Sequence, residues 1–339
     1  MASHSTSPAA GETAAPGIAT VIGTGTIGLG WIVLLLAKRV RVRVSSTRPD
    51  AEVHVRSGVE LLAAGLPGGP PADPAKLCAL LEFEPDVARA VADVDVVLEN
   101  APENLAVKRE LFSRIEQTAR ADTLLLSSTS TLTPDELAAG LSRPGRLLVG
   151  HPFNPPHVIP LVEVVPGTAT DPAALRRTVS FYRAIGKHPV VIEKALPGFV
   201  ANRLQSALLR EAIYLVQQGV VTAPQLDEVV TSSIGLRWAV LGPFLAAHLA
   251  GGSGGLQHWL ETIGAGLERG WQWLGEPRMD SGTSDQLVKQ VDDGYGARSY
   301  EVLVTERDQL QGAVLAALGR RAGRYPAVKD YDRAGPTTS

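Results

Sequence analysis

Residues 18–30 read IATVIGTGTIGLG, and this stretch decides the fold of the chain. An apolar run ends in Gly23, Gly25 and Gly28, and a second apolar run continues from Trp31. In the order strand, G-x-G-x-x-G turn, helix, the first glycine permits a tight turn and the second lets the backbone approach a pyrophosphate. The third lets helix and strand pack closely, and the helix N-terminus attracts phosphates. Glycines also mark ordinary turns, but the flanking apolar runs favour a dinucleotide-binding turn.

The composition is typical of a globular protein with about two domains, because the chain has 339 residues. Hydrophobic residues make up 45% and charged residues 20%, and 32 basic against 35 acidic residues give a net charge of -3. This balance gives no reason to expect binding to nucleic acid or to an anionic membrane surface. We therefore expect a small molecule as the substrate.

The cysteine content and the two ends of the chain bear on the cellular compartment, on metal binding and on the extent of the folded part. Cys78 is the only cysteine, so it excludes an intramolecular disulfide and offers no thiolate metal site; we expect no metal and a reducing cytoplasm. Residues 1–16 lack the basic and apolar regions of a signal peptide, so a disordered tail is expected. Residues 324–339 are polar and are expected to form a flexible tail. The apolar run 31–37 is far shorter than the roughly 20 residues that span a bilayer, and no membrane partner is expected.

Strand and helix patterns alternate along the first part of the chain. Short apolar or alternating segments predict strands at 40–44, 81–84, 94–99, 123–127, 147–150, 161–165 and 189–193, with helical segments between them. This alternation predicts an α/β fold with a Rossmann-type, doubly wound and mostly parallel sheet, in which ligands bind beyond the carboxyl ends of the strands. We assign residues 17–195 to a dinucleotide-binding domain.

Only helical patterns follow Pro197 and Gly198. After a first helix from Val200, further helices are predicted at about 223–233, 242–250, 254–274, 283–293 and 299–322. We assign residues 196–323 to an all-α domain for substrate binding and dimerisation. Its apolar faces offer more hydrophobic surface than a contact with the first domain would cover, so a homodimer through this domain is expected.

The residues after the second strand bear on the choice of cofactor. Ser45, Ser46, Thr47 and Arg48 stand where this fold places a carboxylate that binds the adenosine ribose of NAD, and the first carboxylate is Asp50. A nearby arginine accommodates the 2′-phosphate of NADP. The stretch therefore favours NADPH or NADP, with NADH possible, although an ordinary surface turn would have the same composition.

A histidine and a glutamate flank one short loop in the second half of the sheet. His151 directly follows one predicted strand, and Glu163 lies in the next with apolar neighbours on both sides. A carboxylate in an apolar strand needs a partner, so an imidazole–carboxylate hydrogen bond is expected. A structural histidine is the alternative for His151. His157, in the same loop, has no evident partner and is interpreted as structural or substrate-facing.

Several further motifs follow one another along the chain. They are GTGTIGLG at 23–30, ENAPEN at 99–104, SSTS at 127–130, HPFNP at 151–155, Glu163 and PGFVANR at 197–203. In this order they resemble the 3-hydroxyacyl-CoA dehydrogenase family over nearly the whole chain. HPFNPPHVIPLVEVVPG and GFVANRLQSALLREA look most like the branch that contains λ-crystallin/L-gulonate dehydrogenase and carnitine dehydrogenase. SSTRPD, GLRWAVLGPF and GGSGGLQHWLE look closer still to the stereospecific ketoreductase of actinorhodin-type aromatic polyketide pathways.

The resemblance implies a role for residues at matching positions. His151 and Glu163 would form the catalytic pair, with Ser130 and Asn202 holding the substrate oxygen. Asn154 belongs to the same site and would contact both cofactor and substrate. The implied cofactor residues are Gly23, Gly25, Thr26, Ile27, Gly28, Ser45, Ser46, Arg48, Asn100, Pro102, Glu103, Lys108, Ser128 and Asn154, of which Glu103 and Lys108 would approach the nicotinamide. Two departures stand out, because Ser45 and Ser46 replace the ribose-binding aspartate and Ser128 replaces an asparagine.

The resemblance implies a ketoreductase that uses NAD(P)H. Hydride would pass to a ketone carbon while protonated His151 donates to the developing alkoxide and Glu163 stabilises the imidazolium. The expected substrate is a β-keto compound with a carboxylate, such as an aromatic polyketide intermediate, because Arg237 beside Trp238 offers a bidentate donor and an aromatic face. For these two residues, an interdomain or dimer salt bridge with Trp238 in the core is the alternative.

Other functions stay open from the sequence alone. A small hydroxy-acid dehydrogenase acting on carnitine or L-gulonate is the first alternative, and a 3-hydroxyacyl-CoA dehydrogenase is the second. A non-catalytic, NADP(H)-binding structural protein would use the same fold, since fold does not fix function. The intact set of His151, Glu163 and Asn202 favours an enzyme.

Overall fold

The structure, a computed structural model, describes residues 16–67 and 72–319. They form two compact units, the first comprising residues up to Val200 together with residues from Val304, and the second Ala201–Leu303. Residues 1–15 of the expected N-terminal tail, the expected tail at 324–339 and part of the Gly/Pro-rich stretch after residue 64 lie outside the described residues.

The first unit is built on one sheet of 8 strands in the order β3-β2-β1-β4-β5-β6-β7-β8. The strands are β1 (Ile18–Ile22), β2 (Arg41–Ser45), β3 (Leu81–Phe83), β4 (Val96–Glu99), β5 (Leu124–Ser127), β6 (Leu147–Pro152), β7 (Leu161–Val165) and β8 (His188–Val191). Neighbouring strands are parallel except β6 and β7, which are antiparallel. The Rossmann-type α/β fold that the alternation predicts is confirmed.

Helices cover both faces of this sheet. They are α1 (Thr26–Ala37), α2 (Ala51–Ala63), α3 (Pro74–Cys78), α4 (Val87–Ala90), α5 (Leu105–Thr118), α6 (Pro134–Ala138) and α7 (Pro172–Ala184). Side chains alternate between the two faces, so that Leu98 of β4 packs into the core with α1 while Val97 packs into the core with α5. Helix α1 is buried along most of its length, because apolar residues occupy nearly every position.

The rest of the described chain is helical, as predicted. The helices are α8 (Ala201–Gln217), α9 (Ala223–Ser232), α10 (Ile234–Val240), α11 (Pro243–Ala250), α12 (Gly255–Thr262), α13 (Leu267–Trp271), α14 (Ser281–Tyr295) and α15 (Tyr300–Gly319). The single helix expected at 254–274 is wrong, because the glycines at 264 and 266 interrupt it with a short 3-10 turn. Helix α10 was not expected. Helix α15 begins in the second unit, but from Val304 onward its residues belong to the first.

None of the helices in the described part of the chain is by itself long and apolar enough to cross a membrane. One pair, 223–240 with 243–250, passes the same criteria of length and composition but is bent by 94° at its break.

Candidate active site and cofactor cradle

The glycine turn between β1 and α1 has the shape that a dinucleotide requires. Gly23 has a φ of +89°, and a Cβ there would lie 2.5 Å from the carbonyl oxygen of Asn100. A Cβ on Gly28 would lie 2.1 Å from the carbonyl oxygen of Gly23, so the helix packs directly on the turn. A Cβ on Gly25 would meet no described atom within 4 Å. The backbone at Gly25 therefore borders open space of the kind that a pyrophosphate fills.

A cavity of about 660 Å³ opens beside this turn, beyond the carboxyl ends of β1, β2 and β4. Its lining includes the expected cofactor residues Gly23, Gly25, Ser45, Ser46, Arg48, Asn100 and Pro102. The Oδ1 atom of Asn100 is buried there without a hydrogen-bond partner among the described residues, so a hydroxyl donor from a ligand would satisfy it. Gly25 provides no side-chain cap to α1, which leaves the first N–H groups, including those of Thr26 and Ile27, for a phosphate. The residues present fit a nicotinamide dinucleotide.

The cavity lining also contains the serines and the arginine of SSTR. The hydroxyls of Ser46 and Thr24 lie 3.2 Å apart, which ties the end of β2 to the glycine turn. Arg48 donates two hydrogen bonds to Asp50, at 3.0 and 2.9 Å, and this guanidinium holds the pKa of Asp50 below its ordinary value. Arg114 also lines the cavity. Asp50, the first carboxylate after β2, is therefore already bonded to Arg48.

Lys108 is buried and contacts residues of the ENAPEN segment. Its Nζ donates to Oε1 of Glu99 at 2.7 Å and to the carbonyl oxygen of Ala101 at 3.0 Å, and both charged residues are fully buried. The Nζ also lies 3.6 Å from Oε2 of Glu103. These contacts fix the position of the Lys108 amine, and its expected approach to the nicotinamide stays a prediction. The sequence places Glu99 in the ENAPEN motif, but its pairing with Lys108 is seen only in the structure.

Glu103 organises the hydroxyl-rich turn after β5. Its Oε1 accepts hydrogen bonds from the backbone N–H of Ser130 at 3.0 Å and from the hydroxyls of Thr129 and Thr131. Burial alone would raise the pKa of Glu103, but these hydrogen bonds and the charge of Lys108 lower it below the ordinary value. The carboxylate is thus ionised at neutral pH and fixes the main chain at Ser130.

Ser128, which replaces the family's asparagine, has a partner that sequence reasoning missed. The indole Nε1–H of Trp31 donates to the hydroxyl oxygen of Ser128 at 3.0 Å. Trp31 lies on α1 and is completely buried. The serine that replaces the asparagine is therefore hydrogen-bonded to Trp31, on the helix that begins at the glycine turn.

His151 and Glu163 face each other across the antiparallel pair β6 and β7. Nδ1 of His151 lies 2.8 Å from Oε2 of Glu163, and both residues are buried. An ionised carboxylate only accepts hydrogen bonds, so Glu163 in that form selects the tautomer whose proton is on Nδ1. The second carboxylate oxygen, Oε1, accepts from the backbone N–H of Val200 at 2.9 Å. The expected imidazole–carboxylate hydrogen bond is present, and both ends of the carboxylate are held.

Two aromatic rings complete the surroundings of the imidazole. The ring of Phe199 lies 5.4 Å from that of His151, and the ring of Phe153 lies 5.8 Å away in an edge-on arrangement. Phe199 is buried and has a φ of +47°, a conformation that non-glycine residues rarely adopt. Strain of this kind concentrates at functional sites. No sequence pattern indicates it.

The remaining expected residues lie on three elements. Asn154 is exposed in the loop after β6. Asn202 lies in the first turn of α8, and Arg237 and Trp238 lie on α10, so these three belong to the second unit. Trp238 is 45% exposed, which argues against its alternative role as a core residue within this chain. The substrate roles of these residues stay predictions.

His157 has a partner from the far end of the chain. Its Nε2 lies 2.9 Å from Oδ2 of Asp308 on α15, and both residues are buried. Arg307 also donates to Asp308, at 2.8 Å. His157 is therefore structural rather than substrate-facing. Separately, residues 16–67 and 72–319 contain no group of three or more His, Cys, Asp or Glu that could hold a metal ion.

Comparison with known families assigns both parts of the chain. Residues 18–195 match the NAD binding domain of 3-hydroxyacyl-CoA dehydrogenase, and residues 198–279 match its C-terminal domain. An L-carnitine dehydrogenase of Burkholderia mallei is 40% identical over 90% of this chain and 94% of its own length. An L-carnitine dehydrogenase of Streptomyces griseus is 42% identical over 88% of this chain and 89% of its own length.

Solved structures show the same fold. A dehydrogenase of 5-formyl-3-hydroxy-2-methylpyridine 4-carboxylic acid, described as NAD+ dependent, is 29% identical with a TM-score of 0.71, covering 89% of this chain and 98% of that chain. FadB2 of Mycobacterium tuberculosis is 27% identical with a TM-score of 0.61, covering 83% of this chain and 95% of that chain.

Proposed function

The chain belongs to the 3-hydroxyacyl-CoA dehydrogenase family, and we propose that it oxidises the secondary alcohol of a small 3-hydroxy acid of the L-carnitine type with NAD. It is an NAD-dependent oxidoreductase acting on CH–OH groups by family. The relatives named L-carnitine dehydrogenase, similar over nearly the whole chain, carry the choice of substrate. They support the small hydroxy-acid alternative better than the aromatic polyketide ketoreductase that SSTRPD and GLRWAVLGPF suggested.

In the proposed reaction, His151 acts as the general base. Nε2 takes the proton of the substrate hydroxyl, and the carboxylate of Glu163, 2.8 Å from Nδ1, stabilises the imidazolium that forms. Because the pair is buried and desolvated, the carboxylate acts on the ring more strongly than it would in water. When bound, NAD supplies the hydride acceptor. Reduction of the ketone runs through the same residues in the opposite direction.

The orientation of the imidazole is set before any substrate arrives. Val200 holds one oxygen of Glu163 through its backbone N–H, and the rings of Phe153 and Phe199 flank the imidazole. A fixed ring saves the entropy that a rotating base would lose in the transition state. Ser130 is proposed to hydrogen-bond the substrate oxygen as charge develops on it, and the role expected for Asn202 stays a prediction.

A steady-state assay tests the substrate class. The purified chain is supplied with NAD and either L-carnitine, L-gulonate, 3-hydroxybutyryl-CoA or 3-hydroxybutyrate, and NADH formation is followed. We expect the highest kcat/KM with L-carnitine. Efficient turnover of the CoA thioester with none of carnitine would contradict the proposal and leave the family assignment intact.

One observation favours a second candidate, the NADP-linked reduction of a carboxylate-bearing β-keto compound such as an aromatic polyketide intermediate. The cavity lining includes Ser45, Ser46, Arg48 and Arg114, and Asp50 is engaged by Arg48. Arg48 follows β2, the position from which an arginine accommodates the 2′-phosphate of NADP. Titration of the chain with NADPH and NADH, followed by reduction of a β-keto acid and of its methyl ester, tests it. Preference for NADPH together with reduction of the acid alone would support this candidate over the first.

A further inference from the structure

The loop between β6 and β7, residues 153–160, connects the two halves of the catalytic pair. His151 lies at one end of it and Glu163 just past the other, and Asn154 lies within it. A displacement of this loop would therefore move Asn154 and change how His151 and Glu163 meet. The groups that fix the loop therefore also fix the positions of the residues in the candidate active site.

Lys187, the residue before β8, holds the middle of this loop. Its Nζ donates to the carbonyl oxygen of Ile159 at 2.6 Å and to the carbonyl oxygen of Pro156. The next residue, His188, donates its backbone N–H to the carbonyl oxygen of Pro160 at 2.8 Å. One buried amine thus joins two main-chain positions of the same loop, beside the edge where β8 pairs with β7.

The burial of Lys187 is not explained by packing. Its residue is only 7% exposed, and desolvation lowers the pKa of its amine to about 7. In residues 16–67 and 72–319 no carboxylate forms an ion pair with it, whereas Lys108, which is also buried, is paired with Glu99. Taking an unpaired amine out of water is unfavourable, and a methionine of similar length would fill the same space without that penalty. The advantage of an amine over a methionine at this position is its two hydrogen bonds to the loop.

Other contacts connect Lys187 to the cofactor side of the site. Its Nζ lies 5.2 Å from the ring centroid of Trp31, the residue whose indole N–H reaches Ser128. A Cβ on Gly30, next to Trp31, would lie 2.7 Å from Cδ of Pro156, so α1 packs directly on the loop. The helix that begins at the glycine turn, the turn at Ser128 and the catalytic loop therefore meet around this amine.

We propose that Lys187 is a positioning residue for the reaction at His151: its amine holds loop 153–160 so that Asn154 and the His151–Glu163 pair keep the geometry that oxidation of the substrate requires. The activity part of this inference rests on the proposed function. The structural part, that Lys187 holds the loop, does not. Asp308 holds the same loop at His157, so loss of Lys187 should loosen it without releasing it.

Hydrogen–deuterium exchange and kinetics on three variants test the inference. Lys187→Met removes the donors at nearly constant volume, and Lys187→Arg keeps the charge and two donors. Lys38→Met is the matched control, because Lys38 is an exposed lysine close to Gly186. If Lys187→Met does not fold, Lys187→Gln, which keeps a donor without charge, replaces it in the same comparison.

We expect peptides covering 153–160 to exchange at least about tenfold faster in Lys187→Met, with α1 and β1 unchanged. Turnover of L-carnitine should fall by about 10- to 100-fold in kcat, the scale of a small misplacement of catalytic groups, while the Kd for NADH stays within about twofold. In Lys187→Arg, the exchange rate at 153–160 and the kcat should both return most of the way to the wild-type values. Lys38→Met should behave like the wild type.

The possible failures are distinguishable. Unchanged exchange at 153–160 in Lys187→Met would overturn the inference, and so would faster exchange spread evenly over the first unit, which marks a general loss of stability. A loss of NADH affinity equal to the loss of kcat would overturn it as well. If the wild type does not oxidise L-carnitine, the proposed function fails, and the exchange data still decide whether Lys187 holds the loop.

Discussion

The two units of the molecule bury their apolar residues very differently. In the first, all four residues of β4 are buried, and α1 buries everything from Gly30 to Leu36. In the second, α8 buries only Ala212 and Val216, and α10 and α11 bury none of their residues. Large side chains on its surface include Leu204, Phe244, Trp271 and Trp273, exposed by 63%, 77%, 60% and 81%.

The difference shows that the two units depend on different sources of stability. The first has a core on each side of its sheet, and its cavity for the cofactor lies beyond the carboxyl ends of β1, β2 and β4. The second exposes apolar faces of the kind that soluble proteins cover by association. This contrast supports the expected homodimer through the helical unit, since symmetric dimers bury the same apolar patch of both copies. Chemistry and assembly would then reside in different parts of the chain.

The largest effect is expected on kcat when the catalytic base is removed, and this change should leave the assembly of the chain unaffected. His151→Ala is expected to lower kcat by about 10²- to 10⁴-fold, the contribution of a positioned general base, without changing sedimentation. His258→Ala, at an exposed histidine of the second unit, is the matched control and should keep the wild-type kcat. A His151→Ala enzyme with undiminished kcat would refute the assignment of the base.

Adding one methyl group to a glycine in each unit compares their packing. In Gly28→Ala the new Cβ would lie 2.1 Å from the carbonyl oxygen of Gly23, so the free energy of unfolding should fall by about 3 kcal/mol. In Gly270→Ala, within α13, the Cβ meets nothing within 4 Å, and the better helix propensity of alanine should raise stability by up to about 1 kcal/mol. Urea unfolding measures both. Equal effects at the two sites would remove the contrast.

A charge on each unit's exposed apolar surface tests the assembly. Phe244→Asp should weaken the dimer by at least about tenfold in sedimentation velocity, because a carboxylate without a partner would be buried on association. Val53→Asp is the control, since Val53 is a comparably exposed apolar residue of the first unit, at 69%. A wild-type chain that sediments as a monomer at micromolar concentration contradicts the dimer, and dissociation by both variants contradicts the choice of surface.

Local patterns in the sequence suffice for much of the fold and for part of the site. The glycine turn, the alternation of strands and helices, and the pairing of His151 with Glu163 each depend on residues close together in sequence or on adjacent strands. The roles of Lys187 and Asp308 could not be predicted from the sequence, because each depends on a contact with a distant part of the chain. Lys187 bonds to Ile159, 28 residues away, and Asp308 bonds to His157, 151 residues away. The interrupted helix after residue 254 depends on glycines whose effect competes with helical periodicity.

The smallest effect is expected at the rim of the cavity, where Arg48 and Asp50 already satisfy each other. A 2′-phosphate would have to compete with Asp50 for the guanidinium, so Arg48 contributes only part of its capacity to NADP binding. Arg48→Ala should lower the affinity for NADPH relative to NADH by about threefold, since the pair is about half exposed and screened by water. Asp50→Asn frees the guanidinium and should raise the same ratio by a similar factor. Fluorescence titration with both cofactors measures the ratio. If neither variant changes it, Arg48 does not contact the ribose end, and the sequence SSTR is only a surface turn.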